Sequence, residues 1–283
     1  MFDRPKTGQF TQGTIFSCAH AEMYPSAAVY GLVITARCDA AQDKAPIYSF
    51  VPVVSITEWM LVDGAEIVLD RYIQDQQNTR KNVLLSLGLS DSLLKTKSSS
   101  EIIEGHLRKK AEEDKRVTTK VTQFESCSSQ IEEASSAQIS KNATEVLSCL
   151  KRAPKHVDAV IKELAANRVM GHYLLRDMPR LYDDNGSDHV ALLREIHHVP
   201  SGLAKKIAQG IQVNADSATG NDDDSRCPRF TAEDDFCMPV ARLRSPWVEH
   251  LMQSLTLLFS RIGVEDVDAK AVKKSLQPLG LDN

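Results

Sequence analysis

Apolar and β-branched residues near the start of the chain fall into short runs that polar segments separate. Three of these runs predict buried strands, because Val, Ile, Tyr and Phe pack well on a pleated sheet. They are residues 13–17, 28–35 and 47–54. The segment between the second and third runs holds Arg37, Cys38, Asp39 and Lys44. Loops at strand ends often carry binding or reactive groups, so this segment is the first candidate for a functional site.

The pattern changes to a helical one after the third run. Ser55 and Glu58 have the spacing of a capping box, and so do Ser98 and Glu101. Each pair predicts a helix start, and Asp63-Gly64 is expected to interrupt the first helix. Further along, Val157, Val160, Ile161 and Leu164 follow the i, i+3, i+4, i+7 spacing of one buried helix face.

Residues 115–143 differ in composition from the segments around them. They are rich in Ser, Glu, Lys and Thr and poor in large apolar side chains. Such a composition buries little surface and predicts a solvated helix or a mobile excursion. Since closing a surface loop depends weakly on its length, replacing this segment with a short linker is expected to leave most of the stability intact.

Strand character returns in the last third of the chain and is followed by a strongly patterned helix. The returning runs are residues 172–175, 189–196 and 236–243. Ser245 is predicted as the N-cap of the helix and Pro246 as its first residue. One face is marked by Trp247, Leu251, Leu255, Leu258 and Ile262, and Gly263 is expected to end it.

This order of elements predicts an α+β fold. Its core is a small SH3-like β-barrel or sheet, with a long helical insertion and a C-terminal helix. The predicted domains are residues 1–55 together with 171–283, and a helical insertion at 56–170. Two separate domains are the alternative, but neither β portion alone offers enough strands for a stable sheet.

Composition narrows the functional classes. The chain is 42% hydrophobic and 25% charged, with a net charge of −4, so it has no overall basic footprint for nucleic acid. This net charge does not exclude a local basic patch. No apolar run approaches the length of a membrane span, and the first residues lack the apolar core of a signal peptide. A cytoplasmic location is therefore expected, with no role at a membrane.

Cysteine spacing and motif searches predict no metal and no cofactor. The six cysteines form no CxxC pair, and neither Cys18, His20 and Cys38 nor Cys227 and Cys237 match a structural zinc spacing. His20-Ala21-Glu22 matches one part of the zinc deaminase signature, but the required P-C-x-x-C is absent. Gly-rich phosphate loops, nucleophile elbows and HExxH motifs are also absent.

Two local constellations are candidates for chemistry. Arg37 and Lys44 would favour a thiolate at Cys38, with Asp39 orienting an arginine or accepting a substrate proton; the alternative is a structural turn. Arg244 and His250 have the R-x5-H arrangement of the HEPN ribonucleases, which resemble this segment. That resemblance implies an imidazole as general acid or base and a guanidinium on the phosphate. The alternative is a strand end and a polar helix face.

The N-terminal strands resemble PemK-type toxins, which are small SH3-like barrels. The resemblance rests on GTIF, GLVIT and FVPVVS. The arginine that these toxins carry before the second strand is replaced here by Ala28, Val29 and Tyr30. Val54 stands where they have a threonine. A barrel without those groups is expected to be a binding scaffold.

A second resemblance covers both ends of the chain. VIT-x-x-CD at Val33 to Asp39 and SPW-x-E-x-L from Ser245, followed by RIG at 261–263, are similar to uncharacterised bacterial proteins of phage-defence or toxin–antitoxin-like loci. The resemblance implies that the two ends form one functional unit.

These observations lead to one functional hypothesis and one alternative. The hypothesis is a bacterial cytoplasmic interaction or ligand-binding component of a multi-protein defence or toxin–antitoxin-like system, with protein partners encoded in the same locus and nucleic acid as an open ligand class. The alternative is a metal-independent endoribonuclease toxin. The expected working surface comprises Arg37, Cys38, Asp39, Lys44, Arg244, Glu249 and His250.

Overall fold

The computed structural model describes residues 1–6, 8–37, 45–108, 115–180, 183–212, 227–229 and 236–260. Its strands are β1 (Phe2–Asp3), β2 (Thr14–Phe16), β3 (Tyr30–Val33), β4 (Ile47–Ser55), β5 (His172–Arg180), β6 (Asp183–Leu192), β7 (His197–Pro200), β8 (Ile211–Gln212), β9 (Phe236–Cys237) and β10 (Pro239–Leu243). Its helices are α1 (Ile56–Leu61), α2 (Asp63–Ser86), α3 (Leu93–Thr96), α4 (Ser99–Ile102), a π-helical turn (Ile103–Leu107), α5 (Lys115–Ser140), α6 (Ala143–Arg152), α7 (Pro154–Ala165), α8 (Ser201–Gln209) and α9 (Trp247–Phe259).

Most of the strands form one antiparallel sheet that curls into a nearly closed barrel. The strand order is β1-β10-β2-β3-β4-β6-β5, and β7 joins at β4. Strand β4 is long enough to serve two partners on the same side: Ile47 to Phe50 pair with β7, and Val53 to Ser55 pair with β6. Strands from before and after the helices thus share one sheet, which confirms the predicted α+β fold with a helical insertion and a C-terminal helix.

The barrel wall is buried on both faces. Phe50 and Val54 of β4 join the core that also contains Trp59 of α1. Val51 and Val53 point the other way, into the core that α9 covers with Leu251 and its neighbours. Because both faces of β4 are covered, its sequence is a continuous apolar run rather than an alternating one.

Helix boundaries follow the capping residues with small corrections. Ser55 accepts a hydrogen bond from the Glu58 backbone at 3.1 Å, and Ser98 and Glu101 form a reciprocal capping box. The break after α1 falls at Val62, and Asp63 and Gly64 already belong to α2, so the predicted interruption was misplaced. For α9 the N-cap is Pro246 rather than Ser245, which shifts the predicted helix start by one residue to Trp247. Residues 262 and 263 lie outside the described residues.

The prediction that residues 115–143 bury little surface was wrong, and the effect of replacing them stays a prediction. Residues 115–140 form a helix, as one of the two alternatives stated, but α5 packs along α2 instead of standing in solvent. Phe124 is fully buried in a cluster with Leu84 and Leu107, and Ala134 and Ala137 are fully buried in the main core. The composition predicted too little burial because much of the buried face of α5 consists of small residues.

Gly31 of β3 lies against the rings of Phe16 and Phe50. A Cβ at this position would lie 2.4 Å from ring carbons of Phe16 and 2.9 Å from Phe50. Both rings are buried, so neither can yield easily. Gly31→Ala is therefore expected to lower the free energy of unfolding by about 1–3 kcal/mol, the usual cost of overpacking. Urea denaturation measures it.

Gly202→Ala is the matched control for this substitution. Gly202 lies in α8, and no atom would meet its added Cβ within 4 Å. Alanine favours a helix, so a stabilisation of about 0.5–1 kcal/mol is expected. Equal effects of the two substitutions would contradict the packing described for Gly31.

Candidate functional site

An open cleft of about 600 Å³ lies at the end of the barrel next to α8. It is formed by the N-terminal segment, the residues after β3, the start of β4, α8 and β10. Its lining residues are Lys6, Gly8, Gln9, Phe10, Thr11, Arg37, Tyr48, Ala204, Lys205, Ala208 and Arg242. We call this feature the basic cleft.

The described charged residues that line the basic cleft are all cations. Lys6, Arg37, Lys205 and Arg242 all line it, and none of its described lining residues is Asp or Glu. A cleft lined by one sign of charge concentrates the potential and attracts the opposite ion. The chain carries a net charge of −4, so the sign of this local surface is opposite to that of the whole chain.

Long-range pairing brings these cations together. The backbone N–H of Ser201 donates to the carbonyl of Pro46 at 3.0 Å, which places α8 beside the start of β4. The N–H of Gly8 then donates to the Ala208 carbonyl at 3.3 Å and holds the N-terminal segment against α8. Arg242 enters through β10, which pairs with both β1 and β2.

The floor of the basic cleft is apolar. Phe10 and Tyr48 are only 8% and 5% exposed, and their ring centroids lie 5.5 Å apart in an edge-to-face arrangement. Ala204 and Ala208, one turn apart on α8, complete the floor with small side chains. Lys6, Arg37 and Lys205 are exposed and Arg242 is partly buried, so these four cations form the rim of the cleft nearer to solvent.

Arg37 also contacts the head of the C-terminal helix. Its Nη2 lies 3.7 Å from Oε1 of Glu249, and both side chains are about half exposed. Two of the residues proposed for the working surface, from opposite ends of the chain, are thus adjacent. The proposed Cys38, Asp39 and Lys44 lie outside the described residues, and so does the expected pairing of Asp39 with an arginine.

The other two proposed residues do not line the basic cleft. Arg244 follows β10 and is exposed, and its backbone N–H donates to the carbonyl of Met1 at 3.2 Å. Nδ1 of His250 lies 2.9 Å from the hydroxyl of Tyr173, a fully buried residue. Burial raises the pKa of Tyr173 to about 12, so this hydroxyl keeps its proton at neutral pH.

Lys6, Lys205 and Arg242 were not foreseen as site residues. None of them belongs to a recognisable motif, and only the tertiary structure brings them to Arg37. A residue-by-residue search for clustered charge does not find such a site. Knowing that β4 pairs with β7 would have placed Lys205 near Arg37.

The thiols of Cys227 and Cys237 are held by backbone carbonyls. The Cys237 thiol donates to the Ser17 carbonyl at 3.1 Å, and the Cys227 thiol to the Cys18 carbonyl at 3.8 Å. Burial raises the pKa of Cys227 to about 12, so it is a neutral thiol with little nucleophilicity. Within the described part of the chain, no three His, Cys, Asp or Glu side chains are placed to hold a metal ion.

A separate polar cluster joins the barrel to the helical insertion. The Tyr24 hydroxyl donates to Oδ2 of Asp63 at 2.5 Å, and Nε2 of His172 lies 3.7 Å from Oδ1. Burial by itself would raise the pKa of Asp63, but the contacts with His172 and Tyr24 and the charge of Arg194 outweigh it and lower the pKa. The Asp63 carboxylate thus connects α2 to the loop between β2 and β3, which holds Tyr24, and to β5, which holds His172.

Asp63→Asn is expected to lower the free energy of unfolding by about 1.5–3 kcal/mol at pH 7, the range for hydrogen bonds to a charged group. The pKa of Asp63 is lower in the folded than in the unfolded chain. Its contribution is therefore complete above about pH 5 and is lost as the pH falls through the folded pKa. The difference between the unfolding free energies of wild type and variant should narrow as the pH falls below about 5, as urea denaturation at each pH will measure.

The exposed Asp158 on α7 supplies the control for the pH series. Asp158→Asn is expected to change the unfolding free energy by less than about 0.5 kcal/mol at every pH, as for most surface sites. A gap between wild type and Asp63→Asn that stayed constant with pH would show that the carboxylate charge is not what stabilises the cluster.

No family model, no curated protein and no solved structure matches this chain. In the ranges that the structure describes, none of the helices is both long enough and apolar enough to cross a membrane. The function is therefore inferred from the geometry of the basic cleft and from the sequence resemblance.

Proposed function

We propose that this protein binds a phosphate-bearing ligand in the basic cleft, as the ligand-binding component of a multi-protein bacterial phage-defence or toxin–antitoxin-like system. The observation that carries the ligand class is the set of four cations with no carboxylate among the described lining residues. Arginine and lysine are the side chains that recognise phosphate, by charge-assisted hydrogen bonds.

Binding fits the basic cleft better than phosphodiester cleavage does. A metal-independent ribonuclease needs a group that accepts and returns a proton next to the scissile phosphate. The described lining residues include no His, Asp, Glu or Cys, and the His250 imidazole is directed at Tyr173. The endoribonuclease toxin therefore remains the second candidate.

The assembly setting rests on the sequence resemblance and on one contact. Glu249, which belongs to the SPW-x-E segment, lies 3.7 Å from Arg37, which follows β3. This contact supports one functional unit built from both ends of the chain.

Titration of the purified chain with inorganic tripolyphosphate, by calorimetry in EDTA, tests the ligand class. Binding is expected at low salt and should weaken as salt screens the cationic rim. Absence of binding at low salt would contradict the proposal. Cleavage of cellular RNA in EDTA would establish the ribonuclease instead, and co-purification with the products of adjacent genes tests the assembly.

A further inference from the structure

We propose that Cys18 and Cys237 form a reversible disulfide when the protein meets a low-molecular-weight disulfide oxidant of the oxidised-glutathione class. In the structure both residues are thiols. This site goes beyond the proposed function and does not depend on it, because neither cysteine is among the described lining residues of the basic cleft. It is carried by the strand pairing around the two cysteines, the contact between their thiols and the difference in their exposure.

The backbone places Cys18 opposite Cys237. Strand β2 pairs antiparallel with β10, and the N–H of Ser17 after β2 donates to the carbonyl of Met238 before β10 at 3.0 Å. The next residues in this register are Cys18 and Cys237. Residues opposite each other in an antiparallel pair have Cα atoms roughly 4.5–5.5 Å apart, and a disulfide requires a Cα separation of about 4.4–6.8 Å. The backbone spacing therefore suits a disulfide.

The two thiols are in contact. They share a hydrogen bond, and the Cys237 thiol also donates to the Ser17 carbonyl at 3.1 Å. From hydrogen-bond contact, a small movement of the side chains brings the sulfur atoms to the S–S bond length of about 2.05 Å. The side chains as well as the backbone are therefore placed for bond formation.

The backbone of Cys18 is held by a segment that is distant in sequence. Cys18 has a φ of 59°, which is uncommon for a residue other than glycine. Its carbonyl accepts from the N–H of Arg229 at 2.8 Å and from the Cys227 thiol at 3.8 Å. The Cys227 thiol is thus directed at the backbone of Cys18, whereas the Cys237 thiol is directed at its sulfur. This difference selects Cys237 as the partner.

The exposure of the two thiols assigns the order of the reaction. Cys18 is half-buried and Cys237 is fully buried. The Cys18 thiolate attacks one sulfur of the oxidant and releases one thiol, which leaves a mixed disulfide. The Cys237 thiolate then attacks the Cys18 sulfur and releases the second thiol. Two protein thiols are oxidised, one oxidant disulfide is reduced, and the two protein protons leave on the released thiols.

The second step is expected to limit the rate. The hydrogen bond with Cys18, together with burial, raises the pKa of Cys237. Because the thiolate is the attacking species, the disulfide should form slowly at neutral pH and faster as the pH rises.

The disulfide would connect the barrel to the segment that follows α8. Cys237 belongs to β9, which pairs with β8 at Ile211, and β8 comes directly after α8. Helix α8 lines the basic cleft, so oxidation acts on a part of the fold beside that cleft. In a reducing compartment such disulfides are transient and serve redox sensing.

Incubation of the folded, reduced chain with oxidised glutathione at about pH 8 tests the site, since thiolates form readily there. The reaction is quenched with acid, and the chain is digested without reduction and analysed by mass spectrometry. The expected product has lost two hydrogen atoms, keeps no glutathione, links Cys18 to Cys237 and returns to the reduced mass with dithiothreitol. A product that keeps glutathione on Cys18, a link between Cys18 and Cys227, or no reaction would overturn the proposal.

Two controls separate the native geometry from general thiol reactivity. The same incubation in urea should give a mixture of pairs among the six cysteines, because the unfolded chain does not hold Cys18 beside Cys237. Cys227→Ser, with folding checked by circular dichroism, should form the Cys18–Cys237 bond at close to the wild-type rate. The same mixture of pairs from the folded chain, or loss of the bond in folded Cys227→Ser, would show that these two cysteines are not a selected pair.

Discussion

The double variant Lys6→Glu/Arg37→Glu is expected to bind tripolyphosphate at least about 100-fold more weakly than the wild type. Each residue places a cation on the rim of the basic cleft. A hydrogen bond to a charged group contributes about 1.5–3 kcal/mol, and about 1.4 kcal/mol corresponds to a tenfold change in affinity. Loss of two such contacts therefore gives the stated factor, and the new carboxylates add repulsion.

The double variant should remain folded. Lys6 and Arg37 are exposed and lie outside the strands, and the Arg37–Glu249 pair is about half exposed on both sides. Ion pairs of that kind contribute roughly 0–1 kcal/mol. The thermal midpoint is therefore expected to stay close to that of the wild type, and the loss of affinity can be assigned to the basic cleft.

Lys151→Glu/Lys162→Glu is the matched control for charge. Both lysines are exposed on the insertion, on α6 and α7, and their reversal changes the net charge by the same amount. Tripolyphosphate affinity should change little in this variant. If the two double variants lost affinity equally, binding would depend on overall charge and the basic cleft would not be the site.

Phe124→Ala is expected to lower the free energy of unfolding by about 3–5 kcal/mol, as for other buried aromatic residues. Phe124 is fully buried between α2 and the residues after α4, in a cluster with Leu84, Ile102 and Leu107. The cluster is small, so few neighbouring side chains can move to fill the cavity. Urea denaturation followed by circular dichroism gives the value.

Ile139→Ala on the same helix is the control. Ile139 is 84% exposed, so its truncation should change the unfolding free energy by less than about 0.5 kcal/mol. The two substitutions together test whether α5 is a packed helix or a solvated excursion. A loss below about 1 kcal/mol for Phe124→Ala would restore the expectation drawn from composition.

Local sequence was sufficient to predict the elements whose own hydrophobic pattern and capping residues match their burial and bounds in the structure. Residues 47–54 are apolar on both faces and form β4, and Ser98 with Glu101 caps α4 as predicted. In α9, Leu251 and Leu255 mark the buried face. In each case a single stretch of chain carries both the backbone preference and the burial signal.

Other elements depend on partners that are distant in sequence. The short β7 pairs with the first half of β4, and His197 and His198 in it give no strand signal of their own. Helix α5 is buried partly through Ala134 and Ala137, which a search for large apolar residues does not register. Small side chains allow two helices to approach closely, and that is visible only when both helices are in place.

The sequence predicted one part of the candidate site, and the tertiary structure supplied the other. The sequence pointed to Arg37 and to the head of the terminal helix, and the contact between Arg37 and Glu249 joins them. Lys6, Lys205 and Arg242 complete the basic cleft and carry no local motif. The domain boundaries and the roles of the seven proposed site residues remain predictions.

The sequence by itself determined the α+β class, the helical insertion and the amphipathic terminal helix, because hydrophobic periodicity and capping act over a few residues. The tertiary structure decided which face of each element is buried, how β4 is shared between β6 and β7, and which cations meet at the basic cleft. Those outcomes depend on strand pairing between distant segments. Which cations lie together is set by the packing of distant segments, and the local sequence around each cation does not specify its neighbours.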